Sequence, residues 1–330
     1  MLASLLPAAL ERRAALLSRL RAEGTDCWRL LHGSSEGCPG LTLDVYADVL
    51  LVQSFREPPS SADLGAIERF ASEELPQVAG WVWNHRGRER LYAESSPSLL
   101  EERLLHEGGT ALCFAARHRG LDPWLFLDLR AARRRLAAEA RSRALLNLFA
   151  YTCGAGVRAA SAGAAEVVNV DFSASSLAVG RRSLERNPPP PGSVQFLHED
   201  CLPLLRQWAG LEVKGRARSR EYLRVEPRSF DLVLLDPPQW STGPFGAVDV
   251  EHDYPALLKP ALLATARGGA LYATNHLPAL DAAGFEARIR RTAEKAGVEL
   301  ASVEVFGPDP DFPGQGGVPL LKVARCQRSS

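Results

Sequence analysis

The spacing of apolar positions changes character along the chain. Over the first twenty residues Leu2, Leu5, Leu6, Ala9, Leu16, Leu17 and Leu20 recur at helical spacing, with arginines inside the pattern. That periodicity predicts an amphipathic helix within 1–28, and no basic stretch precedes the apolar part as it would in a secretory leader. TLDVYADVLLVQSF (42–55) reads as two short strands around a turn at Ala47-Asp48, followed by a helix near 61–75 and a strand at 80–86. These predict a small mixed α/β unit over 29–115. Gly108, Gly109, Gly120 and Pro123 then punctuate the chain, and 122–143 reads as a strand and an arginine-studded helix. From 144 the pattern is regular. Short apolar runs at 144–150, 166–170, 194–197, 230–236 and 269–274 alternate with helical stretches such as 173–186, 253–266 and 281–296. Such alternation predicts a parallel sheet with helices on both faces. The runs at 298–306 and 318–326 have no helix between them, so they should pair as an antiparallel hairpin. The larger domain is expected over 116–330, with fold class α/β and seven strands.

Composition narrows the choice. The 330 residues, 46% apolar and 24% charged, suit two domains or one large one and exclude a disordered chain. No apolar run reaches the roughly 18–20 residues that cross a bilayer, so no membrane role is expected. Cys27, Cys38, Cys113, Cys153, Cys201 and Cys326 are scattered, with no CxxC pair and no zinc-type spacing. That pattern points to reduced thiols in a cytoplasmic protein and to no metal. Lys plus Arg and Asp plus Glu both total 39, which alone argues against a basic nucleic-acid binder. The distribution reverses that inference: net charge is −5 over 1–115, +8 over 116–228 and −3 over 229–330. The positive part holds the arginine-rich stretch 130–143 and the run KGRARSREYLR (214–224), with Arg216, Arg218 and Arg220 at its centre. Such runs either grip phosphates or form a solvated face.

Candidate chemistry gathers at the C-terminal ends of successive strands, the edge where open α/β sheets bind ligands. The first strand ends in Phe149-Ala-Tyr-Thr152-Cys-Gly154-Ala-Gly156, where glycine permits a tight turn and close backbone approach beneath a helix N-terminus. Asp171 ends the second strand, and a carboxylate there can accept both ribose hydroxyls of a nucleoside. Asp200 follows the third and can receive an adenine amino group. Either aspartate could instead cap a helix. Asp236-Pro237-Pro238 ends the fourth strand. Its prolines fix the backbone and leave carbonyls free to hold a planar amine or ring edge. Trp240 just beyond offers a stacking face. An adenosyl ligand across this edge explains the set economically, and the acceptor turn does not suit hydride transfer.

These residues resemble the class I S-adenosylmethionine-dependent methyltransferases, and more narrowly the bacterial 23S rRNA large-subunit methyltransferase I and K family. The resemblance runs from about 29 to 326. It is carried by RLLHGSSEGCPGLTLDVYADVLLVQSF (29–55), FLDLRAARRRL (126–136), LNLFAYTCGAGVRAASAGAAEVVNVDFSASSL (146–177), DLVLLDPPQWS (231–241) and ATNHLPAL (273–280). It implies a Rossmann-like seven-stranded methyltransferase sheet, its last two strands a hairpin, preceded by a small α/β domain. It implies S-adenosyl-L-methionine held against Phe149, Thr152, Gly154, Asp171, Phe172, Asp200 and Asp236, with Asp128 and Arg130 closing over the site. Cys201 would support the adenine pocket or simply pack. The partner implied is rRNA or a ribosomal subunit precursor, met by a monomer or homodimer.

Two departures shape the expected chemistry. Members that methylate cytosine at carbon 5 need a cysteine nucleophile, because that carbon reacts only after a thiolate adds to the ring. Here the position after the fifth strand reads Ala273-Thr-Asn275-His276, and no cysteine follows Asp236-Pro237-Pro238. Asn275 is similar to the guanine-methylating members, where positioning and electrostatics suffice. His276 could act as a base. The expected activity is therefore nitrogen methylation of a guanine in 23S rRNA, with Asp236, Pro237, Pro238, Trp240 and Asn275 around the base. Cytosine-C5 methylation, methylation of a protein or small molecule, and a non-enzymatic nucleotide-binding module are the alternatives. Many relatives also begin with an extra RNA-binding β-domain, whereas about 28 residues precede the resemblance here. The basic middle segment and the small α/β unit would then supply the grip on RNA.

Overall fold

Leu2, Leu6, Ala9, Leu16 and Leu20 line two helices, α1 (Leu2–Arg12) and α2 (Ala14–Ala22), and bury with Leu30, Leu43, Val52, Ile67 and Phe70 in one core. The expected single helix is interrupted at Arg13. Its guanidinium turns inward to Glu36, with both N–H···O distances 2.8 Å, and to the Ala9 carbonyl at 2.9 Å. The computed structural model describes residues 2–120, 122–188, 191–213, 221–238, 240–243, 246–314, 316 and 318–330, without the side chains of 240–243 and 246–253. Two units result: Met1–Arg130 with Pro308–Pro319, and Ala131–Gly307 with Leu320–Ser330. The expected boundaries at 28 and 115 differ from this division. The first helices share the core of the unit behind them, and Leu125, Leu127 and Leu129 are buried beyond 115.

In the first unit β1 (Cys27–His32), β2 (Leu41–Tyr46), β3 (Val49–Ser54), β4 (Gly80–His85) and β5 (Tyr92–Glu94) form a sheet in that order. Neighbours are antiparallel except β3 and β4, which α3 (Ser61–Glu74) links as parallel strands. Ser60 starts α3 with a reciprocal capping box to Asp63. β6 (Arg103–Glu107) and β7 (Thr110–Phe114) form a separate hairpin. The strand expected after 122 is absent; a short 3-10 turn at Leu127–Leu129 leads directly into a helix. Segment 308–319 joins this unit through charge. Arg130, fully buried, donates to Asp309 at 2.8 Å, to Asp311 at 2.6 Å and to the Cys27 carbonyl at 3.0 Å.

The second unit runs α4 (Arg130–Glu139, begun on the last residue of the first unit), β8 (Ala144–Leu148), α5 (Gly154–Ser161), β9 (Glu166–Asp171), α6 (Ala174–Glu185), β10 (Ser193–His198) and α7 (Cys201–Trp208). It continues with β11 (Phe230–Leu235), β12 (Trp240–Gly243), β13 (Gly246–Asp249), α8 (Val250–Ala264), β14 (Thr265–Asn275), α9 (Ala282–Ala296), β15 (Leu300–Phe306) and β16 (Lys322–Arg328). Seven strands pair in the order β10-β9-β8-β11-β14-β16-β15. The first five are parallel, and β16 is antiparallel to both neighbours, as the missing helix required. Leu146, Val168, Val233 and Leu271 from the sheet meet Leu258 and Phe285 from α8 and α9 in its core.

Several arginines of 130–143 are engaged within the fold. Arg130 is paired as above and Arg133 is buried. Arg135 meets Glu304 at 2.6 Å while lying 3.9 Å from the Phe306 ring, and Arg143 lies 3.6 Å from Glu139. Arg216, Arg218 and Arg220 lie outside the described residues. Among the described residues, no helix is long and apolar enough to cross a membrane, and no group of His, Cys, Asp or Glu could hold a metal ion.

Candidate active site

Strand register assembles the site. Leu148 pairs with Val170, Asp171 with His198, and Leu235 with both Leu148 and Ala273. The residues just past these strands, namely 149–156, 171–172, 200–201, 236–238 and 275–276, therefore share one edge of the parallel sheet. The chain runs outward from β8 to β10 and returns beside β8 as β11. That reversal opens a crevice where such sheets bind ligands.

The loop after β8 is held in an uncommon conformation. Phe149, Tyr151 and Cys153 have φ of 55°, 49° and 61°, left-handed values that side chains disfavour. Three bonds hold it there. Phe149 N donates to Cys201 Sγ at 3.2 Å, Ala150 N to the Val170 carbonyl at 3.0 Å, and Tyr151 N to Asp171 Oδ2 at 2.7 Å. Thr152 is buried within this loop. Gly154 opens α5 behind the left-handed Cys153. Gly156 has a packing reason: a Cβ there would sit 1.9 Å from Asn169 Oδ1. That oxygen also accepts from Asn147 Nδ2 at 2.8 Å. The second glycine thus seats α5 on β9, where the sequence suggested close approach to a ligand.

Asp171 accepts a second bond at its other oxygen, from Ser173 N at 2.8 Å. Ser173, not Asp171, caps α6. Each Asp171 oxygen keeps one further acceptor position, enough for two ribose hydroxyls. Burial pushes its pKa up against the pull of the two backbone N–H groups. Between the ordinary value of 3.8 and that raised value, the folded chain holds a proton the unfolded chain has released. The buried anion therefore lowers stability as pH rises through this window. Asp200 does cap a helix, accepting from Leu202 N at 2.9 Å at the start of α7. Phe172 is half-buried, and its carbonyl lies 2.8 Å from His198 Nε2. Cys201 is buried, with its thiol pointed at the Val170 carbonyl, and burial drives its pKa well up.

At the other end, Asp236 Oδ1 accepts from Thr274 Oγ1 at 2.5 Å and lies 3.8 Å from His276 Nε2. Tyr254 Oη donates to the Thr274 carbonyl at 2.8 Å. Pro237 is buried and Pro238 exposed. Asn275 is 1% exposed; its Oδ1 accepts from Leu277 N at 2.9 Å, and its Nδ2 has no partner. Lys322, opposite Asn275 in register, ties the Leu277 and Leu320 carbonyls at 2.9 and 2.8 Å. Trp240 opens β12; its side chain lies outside the described residues. Thr274, Tyr254 and Lys322 were not anticipated from sequence. The signal for Thr274 lay beside Asn275, whereas Tyr254 and Lys322 carried none. The Arg130 guanidinium is engaged inside the first unit.

The sheet order and this edge define a Rossmann-like α/β methyltransferase fold. A solved methyltransferase complexed with SAH shares it, with a TM-score of 0.77 over 98% of this chain and 80% of that one at 21% identity. So does a SAM-dependent methyltransferase from Agrobacterium tumefaciens, with a TM-score of 0.65, covering 94% and 92% at 18% identity. The family model for S-adenosylmethionine-dependent methyltransferases matches residues 28–324, and the chain belongs to that family. It is an enzyme whose cofactor is S-adenosylmethionine. The ribosomal RNA large subunit methyltransferase K/L of Chromohalobacter salexigens is 32% identical over 314 residues, 91% of this chain and 39% of that protein. The ribosomal RNA large subunit methyltransferase I of Aeromonas salmonicida is 28% identical over 311 residues, 92% of this chain and 73% of that one.

Asp171→Ala is expected to weaken S-adenosylmethionine binding by about 1.5–3 kcal/mol, the worth of hydrogen bonds to a charged group. Calorimetry at neutral pH reads it, with thermal melting to register any loosening of the Tyr151 loop. In the wild type, affinity should fall as pH drops through a midpoint above 3.8.

Proposed function

We propose that this chain transfers the methyl group of S-adenosylmethionine to a nitrogen of a guanine in 23S rRNA. The rRNA substrate follows the names of its relatives. The choice of nitrogen rests on Asn275, a buried side chain with a donor left unpartnered, next in the chain to the Thr274 that bonds Asp236. The thiols favour the same choice. All six cysteines are buried, and burial pushes Cys38, Cys153 and Cys201 up and Cys326 to about 12. Those four stay protonated, so none is ready to attack a ring carbon.

When bound, S-adenosylmethionine supplies an electrophilic methyl group on a sulfonium. Asp171 would hold its ribose and Asp200 its adenine, against a loop braced by Cys201. Phe149, Thr152, Gly154 and Phe172 would line the remainder. On the substrate side, the Pro237-Pro238 turn offers carbonyls to the base edge and Asn275 Nδ2 donates to an acceptor on it. Asp236 and His276 take up a proton released from an exocyclic nitrogen. A base inside a stem must first be flipped out, at a cost of a few kcal/mol.

Mass mapping of 23S rRNA from cells with and without the gene tests this. One guanine should lose a methyl group on deletion. Loss at a cytosine would establish the C5 alternative, and unchanged rRNA would point to a protein or small molecule. No affinity for S-adenosylmethionine alongside affinity for another nucleotide would leave a binding module.

A further inference from the structure

The first unit carries a second cluster, of arginines and aromatic rings. Phe55 follows β3 and Arg86 follows β4, parallel neighbours with Ser54 opposite His85. The Arg86 guanidinium lies 5.3 Å from the Phe55 ring and donates to Asp122 at 2.5 Å. Tyr92 opens β5 opposite Asn84, with the Arg117 guanidinium 4.7 Å from its ring. Arg117 donates to Asn84 Oδ1 at 3.0 Å, Glu94 at 2.8 Å and the carbonyls of Trp83 and Ala93 at 3.2 and 3.3 Å. With four of five N–H groups engaged, it is no phosphate ligand; it holds the Tyr92 ring in place.

Phe55 and Tyr92 remain 43% and 42% exposed. Arg56, Arg88, Arg90 and Arg119 are exposed around them and form no ion pair among the described residues. Glu57, Glu89 and Asp122 are exposed acids among them, Asp122 being the one paired with Arg86. Residues 1–115 carry −5 overall, so this edge is a basic island in an acidic unit. A solvated charged face needs no exposed ring, and no guanidinium fixed above one. Rings for bases and free guanidinium groups for phosphates are what a single strand of nucleic acid requires.

We propose that this edge, around Phe55, Arg88, Arg90 and Tyr92, is a docking surface for single-stranded RNA. Bases stack on Phe55 and Tyr92, and the exposed arginines meet phosphates. The proposal rests on RNA being the substrate and adds where the chain grips it outside the strand-end site.

The test is anisotropy of a labelled 20-nucleotide mixed-sequence single-stranded RNA with the full chain over a range of salt. Tyr92→Ala and the pair Arg88→Ala/Arg90→Ala should each weaken binding about tenfold. The arginine pair should also lower the salt slope by about 1.4. Tyr92→Phe should retain binding, and S-adenosylmethionine affinity by calorimetry should not change in any variant. If these variants bind RNA like the wild type while rRNA mapping shows methylation, the surface is overturned and the RNA substrate stands. No affinity of the wild type for this RNA overturns the surface whatever the map shows, and an unchanged map overturns the substrate as well.

Discussion

Arg130→Ala is expected to destabilise the first unit by about 3–5 kcal/mol, the cost of removing one partner from a buried ion pair. The cost comes from what stays behind. Asp311 is 0% exposed and Asp309 6%, and without the guanidinium Asp311 loses its closest counter-charge and Asp309 one of its arginine partners. Asp311 would keep the Arg29 backbone N–H at 3.0 Å, and Asp309 would keep the half-exposed Arg19 at 2.6 Å among its partners. The two carboxylates raise the Arg130 pKa despite the opposing effect of burial, so the charge is never given up. Denaturant unfolding measures the loss. Replacing all three charged groups together, Arg130→Met with Asp309→Asn and Asp311→Asn, should recover most of it, because no isolated charge then remains buried. A loss below about 1 kcal/mol for Arg130→Ala would mean that water replaces the guanidinium. The same variant separates two roles. A cofactor ligand would lose S-adenosylmethionine affinity with stability intact, whereas an internal clamp would lose stability first.

That residue shows where sequence reasoning stops. FLDLRAARRRL places Arg130 beside the regular domain, and nothing local reveals that its partners lie 179 and 181 positions away. Periodicity carried the parallel strands because each is a short apolar run flanked by a turn and a helix. It failed for β1, whose CWRLLH does not alternate, and for α7, whose Pro203 breaks the helical pattern in CLPLLRQW. Strand-end aspartates were legible because the sheet edge is a topological consequence of alternation. Their hydrogen bonds were not: Asp171 anchors the preceding loop while Asp200 caps a helix, and both look alike in sequence. The GxG pair has a second reason that the sequence did not show. Gly156 is required by Asn169, which only the packing of α5 on β9 brings against it.

Asn275→Ala is expected to lower kcat for methyl transfer by about 10²–10³, the usual effect of removing one preorganised donor. Asn275 Oδ1 is occupied by Leu277 N, which fixes the amide's orientation and leaves Nδ2 buried with no acceptor. A donor in that state costs about 1–3 kcal/mol unless something meets it. Its neighbours do not. Thr274 is turned to Asp236, and Lys322 is itself a donor, occupied by the carbonyls of Leu277 and Leu320. If the substrate base supplies the missing acceptor, the cost is recovered only in the complex. The variant should then lose turnover while S-adenosylmethionine affinity stays within about twofold. A purely structural orphan predicts the reverse. Deleting it would relieve a cost, offset part of the lost Leu277 bond and leave kcat near the wild-type value. Asn275→Asp sharpens the comparison. It keeps an oxygen for Leu277 N and replaces only the donor, so a rate as low as that of Asn275→Ala would assign the effect to Nδ2 and not to the loop. A wild-type rate in Asn275→Asp would remove Asn275 from the site.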